Sequence, residues 1–148
     1  MTGQIFSILV APEHGVAQTP MPSAELQADV GLVGDRYAGS GVVSLIEREG
    51  IDAFKTETGL DFADEDVRRN IVTQGIGLNA LVGKRFRVGD AELEGTELCE
   101  PCASLGNSLS EGNVSPADVV KHFLTSAGLR ARVITGGHIS PGDAITQV

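Results

Sequence analysis

The sequence predicts a mainly β fold, a closed or nearly closed β-barrel with a few short helices, built from one domain over residues 1–148. Short apolar runs recur along the chain, and 19 glycines interrupt them with tight turns. Helix signals are few, and the strand-helix alternation of a doubly wound parallel sheet is missing. Closing such strands into a barrel is the economical arrangement because closure removes exposed edges. At 148 residues the chain buries roughly two thirds of its unfolded surface as one unit and is too short to divide comfortably.

Taken in order, GQIFSILVAP (3–12) carries β-branched and aromatic residues with a proline stop and reads as a first strand. ELQADVGLVGDRYAGSG (25–41) begins as a strand and dissolves into a glycine-rich loop. VVSLIE (42–47) has the continuous apolar character of a buried strand, and EREGIDAFKTETG (47–59) reads as a short helix closed by Gly59. After an acidic loop, VRRNIVTQG (67–75) reads as a strand followed by a short apolar turn, LNALVG. RFRVGDAELEGTEL (85–98) alternates about a central Gly-Asp, the pattern of a hairpin. Ser115-Pro116-Ala117-Asp118 supplies an N-cap hydroxyl, a proline at the first helical position and an acid three residues after the cap. That predicts a helix stopped by Gly128. LRARVITGG (129–137) and DAITQV (143–148) close the chain as strands.

Composition narrows the function. A net charge of −9 opposes general attraction to nucleic acid or anionic membrane, so neither partner is expected. An anionic ligand must be held by a local cluster drawn from only eleven Lys and Arg residues, which makes the pair Arg68-Arg69 worth weighing; on a strand, alternation puts Arg68 and Asn70 on one face and turns Arg69 the other way as an ordinary charge. Arg68 is alternatively a surface charge serving Asp64 to Asp66. No apolar stretch approaches a membrane span, and the N-terminus lacks the pattern of a signal peptide, so the expected location is cytoplasmic.

The two cysteines lie in ELCEPCASL (97–105). A structural zinc site needs four ligands, whereas this chain has one CxxC and the dispersed His14, His122 and His138. A thioredoxin-type dithiol needs a helix after the motif, and ASLGNSLSEGN is poor helix material. Two packed thiols remain an alternative, as does one functional thiolate, nucleophilic or metal-ligating. A thiolate near neutral pH needs positive charge beside it. Arg36, in the Gly34-Asp35-Arg36 loop, and Arg68 are the candidates to provide it.

Taken together, GLVGDRYAGSG, VVSLIE, RRNIVTQGIGLNALVGKRFRVGDAEL, CEPC and GLRARVITGGHISPGDAI resemble a MOSC domain in order and spacing, from about residue 25 to 148. That domain occurs at the C-terminus of molybdenum cofactor sulfurases, in the mitochondrial amidoxime-reducing component, and as small stand-alone bacterial proteins. The resemblance implies a β-barrel that binds the molybdenum cofactor (molybdopterin) or carries sulfane sulfur for transfer. It implies Cys102 as the catalytic, molybdenum-ligating or sulfur-carrying residue. Arg68 and Asn70 match positions that hold the cofactor's phosphate and polar edge, and Gly39 and Ser40 match a further cofactor-contacting loop; Arg36 joins them as a candidate contact.

Many stand-alone members carry His where this chain has Tyr37, and Arg-Gln where it has Val42-Val43. The partners implied are a cysteine desulfurase or a molybdoenzyme. The enzymatic alternative is a molybdenum-dependent reductase of N-hydroxylated compounds, and the non-catalytic one a binding module. Pyridoxal phosphate is not expected, since no lysine lies in a convincing site for it.

Overall fold

The structure, a computed structural model, describes residues 2–99, 114–123 and 126–148. Strands β1 (Thr2–Val10), β2 (Thr19–Pro20), β3 (Ala24–Gln27) and β4 (Gly31–Leu32) lead through the glycine-rich loop to β5 (Val42–Glu47) and helix α1 (Arg48–Thr58). A 3-10 turn (Asp64–Val67) precedes β6 (Ile71–Gln74), and a second (Leu78–Leu81) precedes the hairpin β7 (Arg85–Val88) and β8 (Ala91–Leu98). Helix α2 (Pro116–His122) then leads towards β9 (Leu129–Thr135), β10 (Gly137–Ile139) and β11 (Ala144–Gln147).

Seven strands form a closed barrel in the order β1, β6, β5, β9, β8, β7, β11. The ring shuts where Thr2 pairs Thr146 and Gln4 pairs Ala144. All neighbours are antiparallel except β5 and β6, which run parallel from Leu45 opposite Ile71 to Glu47 opposite Thr73. A parallel pair cannot be joined by a tight turn, and α1 is part of the crossover that this pairing requires. Strands β3, β4 and β10 make a small separate sheet.

The crossover explains the continuous apolar run of β5. Val43 and Leu45 pack in the barrel cluster with Ile71, Phe86 and Leu129. Ile46 turns the other way, into a second cluster with Val72 of β6, Phe54 of α1 and Phe123 just beyond α2. Both faces of the strand are covered, so alternation of apolar and polar residues disappears. In β1 the register shifts between Ile5 and Ser7, which lets Ile5 and Ile8 share the barrel cluster while Leu9 joins the second.

The N-cap signal of α2 is realised: Ser115 Oγ accepts from Asp118 N at 3.2 Å, and Ser115 N donates to Asp118 Oδ2 at 3.0 Å. Gly59 closes α1 in the left-handed region. Two readings of the sequence are corrected. The segment 67–75 is not one strand, because Arg68 closes the 3-10 turn at φ 61 and β6 begins only at Ile71. Gly128 is not the stop of α2, which ends at His122. Its φ of +114 belongs to the entry into β9, where any Cβ would overlap the carbonyl oxygen of Leu45.

Among the described residues no helix is long and apolar enough to cross a membrane.

Candidate functional site

Construction of the site begins at Asp35, whose carboxylate is almost wholly buried. Its Oδ1 accepts from Ala11 N at 3.1 Å and from Arg36 Nη1 at 3.3 Å, and its Oδ2 accepts from Tyr37 N at 3.3 Å. The glycine-dense loop is thereby pinned to the end of β1, and Arg36 is held in a buried ion pair. Such a pair orients its members more than it stabilises the fold. The other arm of the fork, Arg36 Nη2, donates to the carbonyl of Arg68 at 3.4 Å.

Left-handed backbone at a non-glycine residue is uncommon and costs energy. Here it has a geometric consequence: Arg68 and Arg69, adjacent in sequence, both line one cavity. The sequence reading had Arg69 facing away as an ordinary charge, which presumed the alternation of a regular strand; the kink removes that alternation. Arg68 Nη1 donates to Val16 O at 2.8 Å, and Arg69 Nε donates to Ala127 O at 2.9 Å.

Among the described residues neither makes a salt bridge. Asp64 pairs instead with Arg48 at 2.6 Å. The Arg68 pKa lies below the ordinary guanidinium value, first because burial disfavours its charge and then because Arg36 repels it. An anion bound at Arg68 would favour its charged form and offset both effects.

Asn70 is buried and bonded on both sides of its amide. Its Oδ1 accepts from Ser44 N at 3.3 Å and Ser44 Oγ at 3.2 Å, while Nδ2 donates to Leu9 O at 3.3 Å. Two acceptor positions and one amide hydrogen are thus spent inside the fold, leaving one hydrogen for anything else.

Cys99 is a free, buried thiol on the same cavity, with its N–H bonded to Gly128 O at 2.8 Å. Burial pushes the thiol above its ordinary pKa, and Arg69 and Arg130 partly offset the rise. Arg130, from β9, donates to Glu97 at 2.9 Å, and that bond raises its own pKa.

The cavity measures about 320 Å³, at the small end of the usual range for ligand pockets, roughly 300 to 1,000 Å³. Of the residues singled out from sequence, Arg36, Ser40, Arg68 and Asn70 line it. Gly39 lies beside it, on a neighbouring groove with Asp29 and Arg132. Cys102 lies outside the described residues. Tyr37, Ser44, Arg69, Cys99 and Arg130 also line the cavity and were not predicted as contacts. Arg130 left a signal in LRARV, where alternation turns it out of the barrel; Cys99 left only its place in CEPC. Among the described residues no group of three or more His, Cys, Asp and Glu side chains could hold a metal ion.

A closed seven-strand barrel with an arginine-lined cavity is the class of protein that fold and site define. The chain belongs to the MOSC domain family, whose model matches residues 35–146. It is similar in fold to the YUAD protein of Bacillus subtilis, with a TM-score of 0.86, 18% identity, and coverage of 98% of this chain and 94% of that one. YiiM from Geobacillus stearothermophilus gives a TM-score of 0.77 at 18% identity, covering 99% of this chain and 75% of its own. YiiM from Escherichia coli gives 0.71 at 20% identity, covering 100% and 70%. No curated protein matches the chain at a significant level.

Proposed function

We propose that the cavity binds the molybdenum cofactor through its phosphate and that Cys102 ligates molybdenum or carries a sulfane sulfur. The observation that supports this reading most directly is the convergence of Arg36, Arg68, Arg69 and Arg130 on one cavity in a chain of net charge −9. The donor set fits a phosphorylated cofactor: two guanidinium groups without carboxylate partners offer planar forks to phosphate oxygens. Arg68 and Arg69 would hold the phosphate, with Arg36 fixing the backbone of Arg68 from behind. Asn70 has one amide hydrogen left to offer the polar edge of a pterin, and Ser40 stands on the same wall. When bound, the group supplies a redox-active molybdenum centre.

As a sulfur carrier, the Cys102 thiolate attacks the terminal sulfur of a persulfide on a cysteine desulfurase. A new S–S bond forms on Cys102, the donor's S–S bond breaks, and the donor cysteine leaves as thiolate. The acceptor is then a molybdoenzyme or its cofactor, and a reducing cytoplasm keeps the thiol available. The test is metal analysis together with intact mass of protein freshly isolated from a cofactor-producing host. Stoichiometric molybdenum identifies a cofactor-binding protein and opens the reductase assay on N-hydroxylated compounds. A 32 Da addition on Cys102 after treatment with a desulfurase identifies a carrier, by the mass of one sulfur atom (about 32 Da). Neither signal would reduce the protein to a binding module with no chemistry of its own.

A further inference from the structure

Tyr37 is the only tyrosine in a chain with no tryptophan, and it is 51% exposed at the edge of the cavity. An exposed aromatic ring on a loop ordinarily moves, but this one is fastened. Its N–H donates to buried Asp35 at 3.3 Å, and its carbonyl accepts from Ser40 N at 3.1 Å. The Arg36 guanidinium sits 4.8 Å from the ring centroid, and the His14 ring meets it nearly at right angles, at 5.0 Å. Tyr37 lines the same cavity as Arg68 and Arg130. A fastened, half-exposed aromatic ring on a cavity shared with Arg68, which makes no salt bridge among the described residues, is the arrangement that receives a flat, charged ligand, because stacking and phosphate binding then act on opposite ends of one molecule.

We infer that Tyr37 is a stacking platform that selects phosphorylated ligands bearing a planar heterocycle over phosphates without one. The inference rests on the reading that the cavity takes a phosphorylated ligand, and it adds the group that recognises the ring. Arg36 has two tasks in this arrangement: it backs the Tyr37 ring by cation–π contact and holds the Arg68 carbonyl, so platform and phosphate site are set by one side chain.

The absence of tryptophan makes Tyr37 its own reporter, since tyrosine emission from this chain arises from one residue. Calorimetric titration of the whole protein with GMP, ribose 5-phosphate and inorganic phosphate, alongside emission corrected for absorbance, tests the platform. GMP, whose guanine carries a pterin-like edge, is expected to bind about tenfold more tightly than ribose 5-phosphate and to quench Tyr37 emission. Tyr37→Leu is expected to bring GMP down to the level of ribose 5-phosphate and leave the latter unchanged. Tyr37→Phe should keep most of the preference. Equal affinities for GMP and ribose 5-phosphate, with no quenching, would overturn the platform and leave the phosphate site standing. Binding of neither compound nor of phosphate would overturn the phosphate reading and the platform with it.

Discussion

Asn70 and Ser44 are locked together by four hydrogen bonds. Asn70 N donates to both Ser44 O and Ser44 Oγ, at 3.2 and 3.1 Å, while Ser44 N and Oγ both donate to Asn70 Oδ1. With Asn70 Nδ2 on Leu9 O and Leu9 N on Asn70 O, at 2.7 Å, one residue ties β1 and β5 to the entrance of β6. Asn70 is therefore first a strut, and its position on the cavity wall follows from that.

The first prediction is drawn from this strut. Asn70→Ala removes a buried amide, takes the Nδ2 donor from the Leu9 carbonyl and takes the Oδ1 acceptor from Ser44 N and Oγ, leaving Ser44 Oγ only its bond from the backbone N–H of residue 70. The expected cost is about 3 kcal/mol, from roughly 1 to 3 kcal/mol per orphaned group. Urea denaturation should show a lower midpoint at unchanged slope. A loss below about 0.5 kcal/mol, the level of an ordinary surface change, would mean that the bonds are dispensable.

Gly128 carries the second prediction. Its φ of +114 excludes side chains, and an added Cβ would meet the Leu45 carbonyl, a backbone atom that cannot swing away. Its own carbonyl also holds Cys99 N. Gly128→Ala should destabilise by more than about 3 kcal/mol, in the range of severe backbone and overpacking mutations. Wild-type stability in Gly128→Ala, read by thermal unfolding, would contradict the close approach.

The two glycines at 59 and 128 show what was legible and what was not. Gly59 ends a helix where its sequence says so, because the cause, a left-handed C-cap, is local. Gly128 was read by the same rule and failed, because its cause is a strand distant in sequence. The barrel was legible in short apolar runs and turn residues, and the α2 cap in Ser115 and Asp118. Of the residues lining the cavity, Ser40, Arg68 and Asn70 were named through the MOSC resemblance and Arg36 as a positive charge for a thiolate. Arg69 was not legible as one of them, since its direction depends on a single positive φ at Arg68, and no residue type announces that conformation in an arginine.

Cys99 gives a third prediction, with a definite pH dependence. Burial raises its pKa above the ordinary thiol value of 9.0, so near neutrality it is a protonated thiol. Alkylation at pH 7 should label Cys99 slowly, and peptide mapping should find Cys102 labelled first if that residue holds the functional thiolate. The sign for stability follows: the unfolded thiol ionises at lower pH than the folded one. The contribution is thus complete below the unfolded pKa and is lost as pH rises towards the folded value. Cys99→Ser should flatten this part of the alkaline stability profile. Rapid labelling of Cys99 at pH 7, at the rate of a free peptide thiol, would refute the burial.

The last prediction separates fold from ligand at Arg68, and it uses the strain of that residue. Glycine adopts φ near +60° at no steric cost, whereas other side chains pay roughly 1 kcal/mol or more there. Arg68→Gly should therefore fold as stably as the parent or slightly more so, despite losing the bond to Val16 O. Binding of a phosphorylated ligand should fall by about tenfold or more, as expected for one charged hydrogen bond worth roughly 1.5 to 3 kcal/mol. Arg69→Ala should weaken the same ligand comparably, because both residues line the cavity. Arg68→Lys should restore only part of the affinity, since an ammonium cannot fork across two phosphate oxygens. Denaturation midpoints and calorimetric titration on the same preparations give both readings. If Arg68→Gly binds the ligand as tightly as the parent, the kink serves the backbone alone and Arg68 leaves the site; if it fails to fold, the Val16 bond outweighs the relief of strain and only the Arg68→Lys and Arg69→Ala comparisons bear on the phosphate.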